Sequence, residues 1–200
     1  MIVSAARGGH INLVRFMMEK KTEMSAHPVQ QQILLAAAGE GHEEIVALAL
    51  ANGVDPNSIT PTQTIAPKTP LEAAAKYGHE NVVRLLLSQG AKPIIGRSAN
   101  KNIYYMPNSL IHAIRRNRLR IAQMLIDHGA ELNPKNLDHY HPLRMAVVAG
   151  KADMVRLLLE NAATFINRPT EGHKAYLLAK SRGKSEVVAL LVKYGVETEV

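Results

Sequence analysis

The segment from Thr69 to Gly90 reads TPLEAAAKYGHENVVRLLLSQG. It predicts two short helices joined by a tight turn. Thr69 can cap the free N–H groups of the first helix, and Pro70 suits its first position because proline has no N–H to leave unpaired. Leu71, Ala74 and Ala75 follow at the i, i+3, i+4 spacing that puts side chains on one helix face. Gly78-His79 interrupts the helix. Val82, Val83, Leu85, Leu86 and Leu87 make the second helix apolar, and Gly90 closes it as a C-terminal glycine does. So small a pair cannot bury its own apolar surface and needs neighbours of the same kind.

The rest of the chain supplies them. With Gly78 as the reference, equivalent turns fall at Gly9, Gly41, Asn117, Gly150 and Gly183, in steps of 32, 37, 39, 33 and 33 residues. Four residues before every turn stands an alanine: Ala5, Ala37, Ala74, Ala113, Ala146 and Ala179. A small residue is needed where two helices approach closely. Seven before the turn lies Ile2, Leu34, Leu71, Leu110, Leu143 or Tyr176. The second helices repeat as LVRFMM from Leu13, IVALAL from Ile45, VVRLLL from Val82, IAQMLI from Ile121, MVRLLL from Met154 and VVALLV from Val187. Twelve past the turn a glycine recurs at Gly53, Gly90, Gly129 and Gly195, replaced by Lys21 and Ala162 in the other two copies.

A period of about 33 residues in this register resembles the ankyrin-repeat family. Its TPLHxAA signature is best kept as Thr69-Pro70-Leu71-Glu72-Ala73-Ala74-Ala75, with glutamate in place of histidine, and in part as His141-Pro142-Leu143-Arg144. The resemblance implies an all-α fold, a single solenoid over residues 1–200 of six stacked helix pairs with β-turn fingers along one edge. The units fall at about 1–21, 28–53, 67–90, 107–129, 140–162 and 173–195. Asn117 departs from the family's turn glycine.

Composition bounds the chemistry. Hydrophobic residues are 46% and charged residues 20% of the chain, ordinary for a soluble protein. Without cysteine there can be no disulfide, thiol nucleophile or thiolate metal site. No apolar run reaches the ~18 residues of a membrane span, and no leader peptide is visible. The net charge of +7 favours acidic partners.

Along the chain, Met1 to Lys21 is an incomplete unit, either a cap or the start of a piece of a longer protein. Thr22 to Gln32 reads as a polar connector. The linkers Val54 to Lys68 and Ala91 to Asn108 are longer than a standard finger, and insertions in such arrays map to one face, often the binding face. The sixth unit carries Lys180 where earlier copies have Ala6, Ala38, Ala75, Ile114 and Val147. Lysine is almost never buried unpaired, which marks 174–194 as a capping unit followed by a short tail. That tail, Glu197-Thr198-Glu199-Val200, resembles the C-terminal ligands of PDZ domains.

Catalytic patterns are missing: neither H-E-x-x-H, Walker A, G-x-G-x-x-G nor G-x-S-x-G occurs, so no enzyme and no cofactor are expected. His139 and His141 have metal-ligand spacing but no third ligand, and read as solvated finger histidines. His10, His42 and His79 each follow a turn glycine and read as structural. In the family the two positions before each turn, and the fingers, face a concave groove. By register these are Arg7, Gly39, Glu40, Lys76, Tyr77, Arg115, Arg116, Val148, Ala149, Ser181 and Arg182, with Ile65, Lys68, Tyr104, Tyr105, Asp138, Tyr140, Glu171 and His173 on the fingers. Tyrosine and arginine are enriched in interface hot spots. The candidate partner-binding residues are therefore Lys76, Tyr77, Tyr104, Tyr105, Arg115, Arg116, Tyr140, His173 and Arg182, while Arg118 and Arg120 read as a solvated turn.

The leading expectation is a monomeric, cytoplasmic, non-catalytic module that binds an acidic protein. The alternatives are a recognition part of a larger enzyme, a secreted bacterial effector acting in a host cytosol, and, less favoured, a nucleic-acid binder. The register itself is open to test: Ala74→Leu forces extra methylenes into a close helix contact and should destabilise the protein by about 1–3 kcal/mol. An unchanged denaturation midpoint would refute the register.

Overall fold

In the computed structural model the described residues are 1–19, 27–60, 69–93, 109–134, 141–165 and 169–196. They form twelve helices and no strand: α1 (Ile2–Arg7), α2 (Ile11–Glu19), α3 (His27–Glu40), α4 (Glu43–Ala51), α5 (Pro70–Tyr77), α6 (Glu80–Ser88), α7 (Ser109–Arg115), α8 (Leu119–Asp127), α9 (Pro142–Ala149), α10 (Ala152–Glu160), α11 (Pro169–Ser181) and α12 (Ser185–Lys193). Consecutive helices pair across the six turns identified in the sequence.

The chain's contacts sort into two compact units, Met1–Ser109 and Leu110–Val200. In the first, α1 packs on α3 and α3 on α5, while α2 packs on α4 and α4 on α6. In the second, α9 packs on α11, and α10 lies against both α8 and α12. Thus in the first unit α1, α3 and α5 form one layer and α2, α4 and α6 another, and in the second unit α9 and α11 form one and α8, α10 and α12 the other. The core between them is aliphatic. All six alanines four residues before a turn are buried, as are Ile2, Leu34, Leu71, Leu110 and Leu143 seven before it. Three before the turn, Ala6, Ala38, Ala75, Ile114 and Val147 are buried and Lys180 is exposed.

The turns show why glycine recurs. Every turn residue has a positive φ, from 55° at Asn117 to 93° at Gly78. Asparagine is the residue besides glycine that tolerates this left-handed region best, so Asn117 keeps the turn geometry of the other copies. In each copy the residue after the turn donates its N–H to the carbonyl of the alanine that stands four before the turn: His10 to Ala5, His42 to Ala37, His79 to Ala74, Arg118 to Ala113, Lys151 to Ala146 and Lys184 to Ala179, at 2.8–3.2 Å. This is the 6→1 bond of a Schellman cap. The second helices end in the same way, with Val54, Ala91, Ala130, Ala163 and Val196 as donors.

The sequence reading needs two corrections here. Thr22 to Gln32 is not wholly a connector, because α3 already begins at His27, with Pro28 at a first-turn position proline tolerates and three glutamines of good helix propensity behind it. Glu171 and His173 are not finger residues either. They lie in α11, which starts at Pro169 for the same reason. Thr69 caps α5 as expected, accepting from the Glu72 N–H at 3.2 Å.

Two turns carry unequal strain. Ala162 occupies the left-handed region at φ 65°, where a β-carbon costs about 1–2 kcal/mol. At Gly41 a β-carbon would in addition clash with the His79 ring at Nδ1. Ala162→Gly should therefore raise stability, by about 0.5–1 kcal/mol after the added chain entropy of glycine. Gly41→Ala should lower it by more than that. Urea midpoints of the two variants should move in opposite directions.

Candidate functional site

The last two residues before each turn point away from the core that the alanines build. In the first unit Arg7, Gly8, Glu40 and Tyr77 are exposed, and Gly39 and Lys76 half-buried. In the second, Arg115, Arg116, Ala149, Ser181 and Arg182 are exposed and Val148 half-buried. Helix geometry alone explains the split: residues at −4 and −3 face inward, and residues at −2 and −1 are rotated onto the open side.

In the first unit Tyr77 is 51% exposed. Its ring stands over Gly39, where a β-carbon would lie 3.9 Å from Cδ2 and Cε2 and 3.7 Å from the Ala73 Cβ. The Lys76 ammonium lies 5.3 Å from the ring centroid, a cation–π contact worth about 0.5–1 kcal/mol at an exposed site. The backbone beneath is pinned by histidines. His42 Nε2–H donates to the Arg7 carbonyl at 2.8 Å and His79 Nε2–H to the Gly39 carbonyl at 2.9 Å. Each ring thus ties its own turn to the position two before the preceding turn, which is the structural role expected of the post-turn histidines.

The second unit solves the same problem differently. Arg118, Lys151 and Lys184 replace histidine after the turns. The equivalent carbonyl, that of Val148, accepts instead from Arg182 Nη1 at 2.9 Å. Lys184 lays its aliphatic chain against Gly150, where a β-carbon would meet Cε at 2.8 Å. Arg182 is therefore both exposed and held in place. An ion pair joins α9 to α11 through Arg144 and Glu171 at 3.5 Å, Lys174 adds a second partner for Glu171 at 3.0 Å, and Arg156 meets Glu186 at 2.6 Å between α10 and α12.

Of the candidate residues, Lys76 and Tyr77 adjoin one another in the first unit, and Arg115, Arg116, His173 and Arg182 belong to the second. Tyr104, Tyr105 and Tyr140 lie outside the described residues, as do Ile65, Lys68, Asp138, His139 and the tail from 197 to 200. His173 is half-buried in α11, with an Nδ1 that has no hydrogen-bond partner among the described residues. His141 is not a solvated loop residue: only 3% exposed, it stacks on Phe165 with ring centroids 5.2 Å apart and planes inclined by 18°. Among the described residues no three histidine or carboxylate side chains converge on a metal site, and no helix is long and apolar enough to cross a membrane.

Two asparagines escaped the sequence reading. Asn57 donates to the Gly90 carbonyl at 3.0 Å and accepts from the Lys92 N–H at 2.8 Å. Asn133 does the same with the Ala162 carbonyl and the Thr164 N–H, at 3.0 and 2.8 Å. Each stands four residues after its glycine, Gly53 or Gly129, and that shared offset was the available signal.

A family model described as ankyrin repeats (3 copies) matches residues 1–96, 34–136, 92–170 and 110–200. The chain is similar to "Ankyrin repeat protein nuc-2" of Neurospora crassa, 29% identical over 90 residues, which is 45% of this chain and 8% of that protein. It is also similar to the human transient receptor potential cation channel subfamily A member 1, 28% identical over 92 residues, again 45% of this chain and 8% of the relative. The matched stretch is thus a small fraction of either relative's length. Among solved structures, the human ASB11 ankyrin repeat domain superposes with a TM-score of 0.73 at 22% identity, covering 100% of this chain and 85% of that one. At that identity the likeness shows the fold.

The burial of His141 makes stability depend on pH. Burial first, and then the nearby Arg144 guanidinium, hold its imidazole below the ordinary value of 6.5. Below about pH 6.5 the unfolded chain takes up a proton there that the folded chain resists, so His141 stabilises the protein above that pH and the contribution falls as pH drops toward the lowered folded value. His141→Gln should flatten the fall in thermal midpoint between pH 7.5 and pH 5 relative to wild type. Parallel profiles for the two proteins would rule this out.

Proposed function

This chain belongs to the ankyrin-repeat family, and from that premise we propose that it is a non-catalytic interaction module whose partner is an acidic protein segment held by the concave groove and fingers. Ankyrin repeats generally serve protein–protein interaction. One observation supports the finer reading: in each unit the pre-turn positions are exposed or half-buried beside buried alanines, and six of the twelve are arginine, lysine or tyrosine. Arginine binds carboxylates in bidentate fashion, and tyrosine offers rigid apolar area at low entropic cost. Register brings Lys76, Tyr77, Arg115 and Arg116 from adjacent repeats to equivalent positions, with Tyr104, Tyr105, Tyr140, His173 and Arg182 extending the set. With this reading go a monomer, a cytoplasmic location and a scaffold that recruits or sequesters its partner.

A second reading is the targeting or substrate-recognition part of a larger multidomain enzyme or a secreted bacterial effector; the relatives bear on it only in that their matched stretch is 8% of a much longer protein. Nucleic acid is the less favoured partner, because the basic residues follow the helix register and no nucleic-acid motif accompanies them.

Affinity capture with the wild-type chain beside groove variants tests the proposal. Arg115→Glu with Arg116→Glu should abolish partner capture while changing stability by less than about 1 kcal/mol, since exposed charges contribute little to folding. Arg118→Glu with Arg120→Glu should keep most of the binding. The reverse pattern would move the binding surface to the turn edge.

A further inference from the structure

The charge of this protein is unevenly spread. Leu110–Val200 carries fourteen Lys and Arg against nine Asp and Glu, whereas Met1–Ser109 carries ten against eight. The open face of the second unit is more ordered still. Arg115 and Arg116 are exposed at one end, Arg182 is exposed at the other, and the half-buried Val148 and exposed Ala149 lie at the equivalent position of the repeat between them. The one acidic residue of α11, Glu171, is already met by Arg144 and Lys174. Arg182 is further fixed by its bond to the Val148 carbonyl, so its guanidinium is held beside the apolar middle. The first unit has no such order: its corresponding positions hold Arg7, Gly8, Gly39, Glu40, Lys76 and Tyr77, of mixed charge.

From this row we infer that the second unit reads one short extended acidic segment in which carboxylates flank a single apolar residue. The inference rests on the groove reading above and adds the spacing. α8 packs on α10 and α10 on α12; packed helices lie about 8–10 Å apart, so the two repeat steps from the turn after Arg115–Arg116 to the turn after Arg182 cover about 20 Å. An extended chain advances about 3.3 Å per residue, so about six residues bridge that distance. The segment therefore carries acidic groups about six residues apart with an aliphatic side chain midway, set against Val148 and Ala149. The end arginines supply charge-assisted hydrogen bonds, and the uncharged middle rejects a segment acidic throughout, because a carboxylate placed there would be desolvated without a partner.

Fluorescein-labelled peptides titrated into the full chain, read by anisotropy, test the spacing. The first peptide has two Asp-Glu pairs six residues apart with leucine midway; the second has the same composition with the pairs adjacent; the third has serine for leucine. A single-stranded oligonucleotide of matched charge is the fourth probe. The first peptide should bind at least about tenfold more tightly than the second and third, the size of effect expected for one lost directional contact. Arg182→Glu should remove that preference in a chain that is still folded at the assay temperature, with a lowered denaturation midpoint that reports the lost bond to the Val148 carbonyl. Equal affinity for all three peptides, an oligonucleotide that binds as tightly as the first, or no binding at all would each overturn the inference. Should the Arg115/Arg116 double variant still lose its partner while the peptides show no preference, the groove reading stands and the six-residue spacing falls.

Discussion

Everything in this structure depends on the reversal at the end of each first helix. The chain must enter the left-handed region for one residue, and the next N–H must return to a carbonyl one turn back. That carbonyl belongs in all six copies to an alanine, whose methyl is buried where neighbouring helices meet. One residue thus serves two constraints, a close approach and a helix cap. The turn fixes the angle between paired helices, and the pair then presents its apolar faces to the pairs on either side. Stability of such an array is a sum of unit and nearest-neighbour terms, so a fault in one turn remains local.

The sequence made this part legible because the signal was repeated. Six alanines and six turn residues in register determine the helix pairs, including the one at Asn117, where glycine is absent. Periodicity failed where the chain leaves the repeat. The helix starts at His27 and Pro169 lie before the repeating core, and proline there reads equally well as a connector or as a first helical turn. His141 was misread for a different reason. Its place before Pro142 matches that of Thr69, which caps its helix and is half-buried, and nothing in the local sequence announces that Phe165, twenty-four residues on, will cover the ring.

The candidate surface was legible as a list of positions and not as chemistry. Register told which residues leave the core, and their exposure agrees. It could not tell that Arg182 would donate to Val148, because the histidines do that task in the first unit from two residues further along. The same tie between repeats is made by an imidazole ring in one half and by a guanidinium in the other. In the second half, a residue that stabilises the stack is also offered to solvent as a cation, so structural and recognition roles converge on one side chain.

The asparagine bridges bear on how such a protein can change over generations. Asn57 and Asn133 each clamp the start of one connector to that of the next, within a few residues of the helix end. The two enlarged connectors, Val54 to Lys68 and Ala91 to Asn108, continue in sequence past Asn57 and Lys92. Length variation on the far side of a clamp leaves the spacing of the helices behind it unaltered, and the entropic cost of a longer loop grows only slowly with length. The clamps therefore separate inheritance into two compartments. Substitutions behind them answer to packing, while insertions ahead of them are free to accumulate and to be selected for what they touch.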